Sequence, residues 1–231
     1  PQTDLEREQY KKEARLLLKR IEHKKRMWFR RVSLAVASAA AVVCLILGSV
    51  SYIRYIDRQQ ITYLEASTSY GERKEIRLPD GTQLILNSCS RVCYPDRFAD
   101  EERRVELEGE GYFRVYHNEK QPFIVNTRHF DVRVLGTCFN VKSYSSDEVV
   151  SVDVESGKVQ VDLPEAMMRL RAKEQILINT VSGEYNKRHE ERAVAVWRRG
   201  SLRFNSTPIR DVAKELERMY NCRITFTQGQ E

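Results

Sequence analysis

Residues 150–163 read VSVDVESGKVQVDL, and this stretch decides the fold class. Val150, Val152 and Val154 alternate with polar residues, and the alternation resumes at Val159 after a Ser-Gly pair. Apolar residues at every second position lie on one face of a β-strand, so the pattern predicts two strands. A Ser-Gly pair between two strands is typical of a tight turn, and the pattern therefore predicts a hairpin.

Similar alternation extends on both sides of this stretch, from about residue 74 to residue 179. It predicts about ten short strands, and no long amphipathic helix interrupts them. Many short strands separated by turn residues are typical of sandwiches and related all-β folds. The sequence therefore predicts a mainly β protein whose body, residues 74–180, is an antiparallel β-sandwich-like domain.

The alternation changes phase around Gly136. Phe130 and Val134 fall on even positions, whereas Phe139 and Val141 fall on odd ones. Because side chains alternate with a period of two, one extra residue must be absorbed by a bulge or a bend. Glycine tolerates such geometry, so we expect the irregularity at Gly136.

The pattern changes again after Trp197. A short alternating segment comes first, then apolar residues at helical spacing over 209–219, then a second alternating segment. This order predicts a partial α/β (βαβ) module over residues 195–231, too small to bury its own core. We expect its core to face a partner protein. The predicted core residues are Leu202, Phe204, Ile209, Val212, Leu216, Ile224 and Phe226. The tandem Arg198-Arg199 before it is interpreted as a solvated linker.

The net charge of +6 is located entirely on the first 31 residues. Residues 1–31 contain 11 Lys and Arg against 5 Asp and Glu, whereas residues 32–231 contain 28 of each sign. A nucleic-acid-binding domain carries its basic excess on a folded face. The body of this chain has no such excess, so direct binding of nucleic acid is not predicted.

The basic arm ends at an uncharged run of 22 residues, 32–53. As a helix this run would span roughly 33 Å, enough to cross a hydrocarbon core of about 30 Å. A signal peptide has a shorter apolar region and a small-residue cleavage site, neither of which is present. The run therefore predicts a single transmembrane helix, followed by a linker over 54–73. The basic flank places residues 1–31 in the cytoplasm and residues 54–231 outside.

No catalytic or metal-binding pattern is evident in the sequence. The four histidines are scattered and lack the spacing of zinc ligands. On one strand Cys89 and Cys93 would lie about 13 Å apart, too far for a disulfide unless a turn folds between them, so we expect buried thiols. The chain contains no Walker loop, GxGxxG or GxSxG motif. Neither an enzyme nor a bound cofactor is predicted.

Taken in order, several segments resemble the FecR family of anti-sigma regulators, which lie in the inner membrane of double-membraned bacteria. The segments are LPDGTQLILNS (78–88), RRVELEGEGYFRV (103–115), PFIVNT (122–127), VRVLGTCFNVKSY (132–144), VESGKVQV (154–161) and AVWRRGSLRFNSTPIRDVAKELERMYNCRITF (195–226). The resemblance covers nearly all of residues 70–228. It implies a cytoplasmic sigma-binding segment, one membrane helix, a periplasmic β-domain and a module similar to receptor signalling domains.

The resemblance also implies partners. These are a cytoplasmic ECF-type sigma factor and a TonB-dependent outer-membrane receptor, with the inner membrane as the anchor. Some members of the family cut themselves at a Gly–Thr bond in this motif, so the Gly136–Thr137 bond is a candidate self-cleavage site. The short basic arm and the incomplete module lead us to expect a longer parent protein. The alternative function is a membrane-anchored periplasmic β-domain that binds a ligand or a cell-wall component directly.

Overall fold

The computed structural model describes residues 25, 28, 36, 38, 41–53, 61–189, 191–204 and 207–227. The chain divides into two compact units, Pro1–Gln60 and Ile61–Glu231. In the first unit, residues 41–53 form helix α1, whose side chains are exposed. Within the described residues, no helix has both the length and the apolar character needed to cross a membrane. The predicted arm 1–31 lies mostly outside the described residues, and so does part of the predicted span 32–53.

The second unit is built from strands, which confirms the predicted mainly β class. Its described part contains thirteen: β1 (Tyr63–Ser67), β2 (Lys74–Arg77), β3 (Gln83–Leu86), β4 (Arg91–Pro95), β5 (Arg103–Arg114), β6 (Phe123–Asn126), β7 (Asp131–Val134), β8 (Cys138–Ser143), β9 (Val149–Ser156), β10 (Lys158–Asp162), β11 (Met167–Arg171), β12 (Glu174–Asn179) and β13 (Tyr185–His189). A 3₁₀ turn at Val196–Arg199 and helix α2 (Ile209–Tyr220) follow.

The strands form one continuous sheet, not the two separate sheets of a sandwich. Strand β5 belongs to both halves. Its first part pairs with β4 and β6 in a first half-sheet (β1, β4, β6, β7, β10, β11). Its second part pairs with β3 and β8 in a second half-sheet (β2, β3, β8, β9, β12, β13). The pairing is antiparallel except between β5 and β6, which run parallel.

Gly109 lies at the point where β5 passes from one half-sheet to the other. It has a φ of +106°, and a Cβ there would collide with Ser90. Only glycine combines this φ with such a close approach. A long strand shared in this way lets both half-sheets contribute to one core.

The hairpin predicted at 150–163 is wrong, although both of its strands are present. Strand β9 pairs with β8 and β12, whereas β10 pairs with β7 and β11. The two strands therefore belong to different half-sheets. Gly157 between them has a φ of +91°, which sends the chain across the core instead of back along β9.

The core lies between the two half-sheets. Phe113 of β5 stacks on Phe139 of β8, with ring centroids 5.2 Å apart, and Phe123 of β6 lies 6.1 Å from Phe113. All three rings are fully buried. Phe139 is one of the positions that the alternation pattern predicted to be apolar, because strands with one buried face carry apolar residues at every second place.

Two strands lie outside the predicted β-domain boundaries of 74 and 180. Strand β1 lies within the predicted linker 54–73 and pairs with β4. Strand β13 pairs with β12 alone. Both were missed because they are edge strands whose residues are mostly exposed, so they lack an alternating apolar pattern. Residues 54–60 of the predicted linker lie outside the described residues.

Candidate functional site

The candidate self-cleavage bond lies where the chain leaves β7 in the first half-sheet and enters β8 in the second. The amide of Val115 donates to the carbonyl of Thr137 at 3.0 Å, and the amide of Asn118 donates to the carbonyl of Leu135 at 2.7 Å. The segment after β5 therefore runs directly beside this bend. A Cβ at position 136 would collide with His117, which belongs to that segment. Close approach of two backbones is thus the reason for glycine here.

The irregularity expected at Gly136 is a bend, and the bulge of this region lies elsewhere. The register of β8 against β9 shifts between Cys138 and Phe139, and these residues oppose Ser156 and Val154. Glu155 is left over on β9, so the extra residue belongs to that strand. The change of phase in the sequence arises mainly because β7 and β8 belong to different half-sheets.

Thr137 is buried, and its hydroxyl donates to the carbonyl oxygen of Lys158 at 2.9 Å. Gly157 lies so close that a Cβ there would approach the Thr137 hydroxyl to 2.8 Å. The hydrogen bond holds the hydroxyl beside the Gly136–Thr137 bond. A peptide carbonyl does not take up a proton at neutral pH, so this partner orients the hydroxyl without activating it. Self-cleavage stays a prediction.

The predicted module after Trp197 differs from a βαβ unit. Residues 201–204 and 222–227 are not strands. Strands need neighbouring backbone to hydrogen-bond with, and among the described residues neither segment is part of a strand ladder. Helix α2 is present as predicted. It begins after Pro208, which occupies the N-cap position, and ends at Asn221 in the left-handed conformation.

The predicted apolar core of this module is only partly buried. Phe204 is 37% exposed and Ile209 is 51% exposed. The other predicted core residues are half-buried: Leu202, Val212, Leu216, Ile224 and Phe226. The fully buried residues of α2 are instead Asp211, Ala213 and Arg218. The helix is therefore attached to the β-domain largely through polar side chains, and its apolar stripe is exposed at Ile209 and half-buried at Val212 and Leu216.

Arg218 forms a doubly hydrogen-bonded ion pair with the β-domain. Its guanidinium donates two hydrogen bonds to the carboxylate of Asp147, at 2.8 and 2.9 Å. The same group lies 3.7 Å above the ring of Tyr144. The two side chains of the pair are 10% and 0% exposed. Burial opposes the charge on Arg218, but the contacts with Asp147 outweigh it and raise its pKa.

Asp211 anchors the first turn of α2. Its carboxylate accepts hydrogen bonds from the backbone amides of Glu148 and Val149, at 3.1 and 3.0 Å. Lys214, one turn further along the helix, lies 3.3 Å from the same carboxylate. Carboxylates that accept amide hydrogen bonds are well stabilised even when buried. The first turn of α2, through Asp211, and its last turn, through Arg218, are thus both attached to the loop that precedes β9.

A third contact joins the middle of α2 to β8. Lys142 lies 2.8 Å from Glu215 and 3.7 Å from Asp147. Burial opposes its charge, but these carboxylates and Glu110 raise the pKa of Lys142. Burial also raises the pKa of Glu110, whose carboxylate accepts hydrogen bonds from two asparagine amides. We call the charged group beneath α2 the polar seam; it comprises Lys142, Asp147, Asp211, Glu215 and Arg218.

The 3₁₀ turn before α2 is also attached to the sheet. Trp197 is buried, and its indole N–H donates to Asn140 at 3.2 Å. Arg198 lies 3.5 Å above the ring of Tyr112 and 3.3 Å from Glu155, to which the Tyr112 hydroxyl also donates. The interpretation of Arg198 as a solvated linker residue is therefore wrong. The bulge in β9 supplies the carboxylate that holds it.

Sequence reasoning did not find the polar seam. Asp147 and Arg218 are 71 residues apart in the chain, and no local spacing links them. The sequence does contain one indication of the polar seam. Asp211 and Arg218 both lie on the buried side of α2, where an apolar helical stripe would be expected to carry apolar residues only.

The cysteines and histidines form no evident metal centre. Cys89 and Cys93 are free thiols, but they are half-buried and not buried as expected. Among the residues that the structure describes, no group of three or more His, Cys, Asp or Glu side chains is arranged to hold a metal ion.

The family model described as FecR protein matches residues 65–160 of the chain. Two crystal structures of a candidate anti-sigma factor from Parabacteroides distasonis ATCC 8503, at 2.50 and 1.65 Å resolution, are similar to this structure. Each is 48% identical to the chain, with TM-scores of 0.67 and 0.66. The alignments cover 69% and 68% of this chain and 76% and 75% of the crystallised chains. No curated protein matches the chain.

Proposed function

Because the chain belongs to the FecR family of anti-sigma factors, we propose that it relays occupancy of a TonB-dependent outer-membrane receptor to a cytoplasmic ECF-type sigma factor. The observation that carries the proposal is the order of its parts. A basic arm precedes an uncharged run of 22 residues, and the β-domain and helix α2 follow. A relay across a membrane needs a partner-binding part on each side of an anchor, and this order provides one.

The sigma factor is assigned to the cytoplasmic arm, residues 1–31. Family membership implies a sigma-factor partner, and the positive-inside bias supports a cytoplasmic position for this arm. Its basic residues would also contact anionic lipid headgroups next to the membrane. The arm therefore serves both as a topology signal and as part of the sigma-binding segment.

The receptor is assigned to the far end of the chain. Ile209 is 51% exposed, Phe204 is 37% exposed, and Val212 and Leu216 are half-buried. An open apolar stripe beside a polar rim supports a protein-binding role for α2. Its proposed partner is the signalling domain of the receptor.

The topology can be tested by labelling single cysteines in intact cells. One variant carries Gln9→Cys and the other carries Ser182→Cys, an exposed position in the β12–β13 turn, both in a background without the native cysteines. An impermeant thiol reagent should label Ser182→Cys only, because residues 54–231 are proposed to face the periplasm. Labelling of Gln9→Cys alone would reverse the proposed orientation.

The relay can be tested with a reporter gene that depends on the cognate sigma factor. Reporter output should depend on receptor ligand in cells with the full chain. This dependence should disappear when the gene that encodes this chain is deleted. A chain without residues 1–24, which keeps Lys25–Arg31 as a topology signal, serves as the matched variant. An output that responds to ligand equally in all three strains would contradict the relay.

A further inference from the structure

Helix α2 is held on the β-domain in an unusual way for an amphipathic helix. Such helices normally bury their apolar stripe and expose their charges. Here Asp211 and Arg218 are buried, whereas Ile209 at the start of the stripe is 51% exposed. The most deeply buried contacts of the attachment are therefore charged ones, while the apolar residues Val212 and Leu216 are only half-buried.

Contacts of this kind can be broken at low net cost. The Asp147–Arg218 pair is almost completely removed from water, so the energy gained from its attraction is offset by the loss of hydration of both ions. When the helix leaves, Arg218, Asp211 and Glu215 all regain water. An apolar interface of the same size would lose its stabilisation and gain nothing in return.

Few backbone contacts oppose this departure. The amide of Gly71 donates to the carbonyl of Arg218 at 2.8 Å, in the last turn of the helix. At the other end, the amides of Glu148 and Val149 are satisfied by the Asp211 side chain. These amides would hydrogen-bond to water once α2 has moved.

We propose that α2 is a releasable latch, locked by the Asp147–Arg218 pair, and that its release is the conformational step by which receptor binding is transmitted. The role of release in transmitting receptor binding rests on the proposed function, whereas the latch itself does not. Val212 and Leu216 of the apolar stripe are half-buried while α2 is docked, so a partner that covers the whole stripe gains more contact with the released helix than with the docked one. Binding therefore shifts the helix from the docked to the released state.

The amides of Glu148 and Val149 give a direct readout of the docked state. Both donate to Asp211, so their exchange with solvent is slow only while α2 is seated. Hydrogen–deuterium exchange of the full chain in detergent micelles, followed by mass spectrometry, measures this. Peptides covering 147–150 and 209–220 report on the latch, and peptides from β5 report on the fold.

Three variants separate a latch from a merely structural contact. Asp147→Asn leaves the Arg218 charge buried without its partner in the docked state, whereas the released state is unaffected. We expect exchange in the latch peptides to rise by at least about tenfold, with β5 unchanged. The double variant Asp147→Leu, Arg218→Met replaces the pair with apolar side chains and should keep exchange as slow as in the parent chain or slower. Lys187→Met, which breaks a 2.8 Å ion pair with Glu174 between β12 and β13, is the control for loss of an ion pair that α2 does not contribute to, and it should leave exchange in the latch peptides unchanged.

Unchanged exchange in Asp147→Asn would overturn the latch, and so would a double variant that exchanges as fast as the single one. A second measurement tests transmission, using the sigma-dependent reporter. Asp147→Asn should change the output without receptor ligand, and the double variant should make it unresponsive to ligand. If neither variant alters a reporter that responds normally in the parent strain, release is not the transmission step. If the parent strain itself does not respond, the proposed function fails while the exchange result stands.

Discussion

The hydroxyl of Thr137 and the carbonyl of Lys158 are joined by a 2.9 Å hydrogen bond. This bond ties together the two places where the chain crosses between half-sheets, at 135–137 and at 156–158. Gly157 fits between them with a φ of +91° and with the Thr137 hydroxyl 2.8 Å from where a Cβ would lie. The crossing points therefore support each other, and glycine is required at their contact.

Gly157→Ala should destabilise the protein by about 2–4 kcal/mol, since it combines backbone strain with a steric collision. Gly81→Ala is the matched control, because Gly81 also has a positive φ, +87°, but its Cβ would meet nothing within 4 Å. That variant should lose only about 1 kcal/mol. Urea denaturation followed by circular dichroism measures both, and equal losses would contradict the role given to the contact.

Thr137→Ala tests the predicted self-cleavage. If the Thr137 hydroxyl attacks the carbonyl of Gly136, the acyl group shifts from nitrogen to oxygen, and water then hydrolyses the ester that results. The parent chain should then give two fragments on a denaturing gel after days at neutral pH, whereas Thr137→Ala should stay intact. A single intact band from both proteins would leave close approach as the sole reason for Gly136.

Arg103→Met should be among the most damaging substitutions in the β-domain. Arg103 is 1% exposed and lies 2.7 Å from Asp80, and it also donates to the backbone of the loop after β5. Removing one partner leaves a buried charge uncompensated, at a cost of about 3–5 kcal/mol. Arg104→Met, where the side chain is 42% exposed, should cost less than about 1 kcal/mol. Similar denaturation midpoints for the two variants would contradict this account.

His129 should make the stability of the β-domain fall in mild acid. Burial, with a smaller contribution from Arg128, lowers the pKa of His129 below its ordinary value of 6.5. Its Nε2 is buried without a hydrogen-bond partner among the described residues. The unfolded chain therefore takes up a proton near pH 6.5 that the folded chain does not, so stability decreases as the pH falls below that value. The stability of the His129→Gln variant should therefore fall less than that of the parent chain between pH 7.5 and 5.5, as measured by thermal unfolding. His117→Gln, at an exposed position, should keep the full decrease.

The strands were predictable where one face is buried, and their pairing was not. Val152 and Val161 alternate correctly within β9 and β10, because burial acts on each strand separately. Which strand each pairs with depends on the direction the chain takes at Gly157, and a Ser-Gly pair permits either a hairpin or a crossing. Edge strands β1 and β13 were missed for the opposite reason, since little of either is buried.

Helix α2 was predictable from the helical spacing of apolar residues over 209–219, but the contacts that attach it to the β-domain were not. The apolar stripe predicted an apolar interface, whereas the helix is attached through Asp211 and Arg218. Their partners lie in the loop before β9, more than 60 residues away. Charged contacts over such separations leave no periodic trace in the sequence.

The central claim, that the chain is an anti-sigma relay, is tested most directly by co-purification from cells. The tagged full chain is purified in mild detergent from cells that also express the cognate receptor and sigma factors, next to the variant without residues 1–24. The account predicts that an ECF-type sigma factor accompanies the full chain and is lost from the shortened variant, while both remain in the membrane fraction. Absence of any sigma factor from the full chain, or equal recovery with the shortened variant, would contradict it.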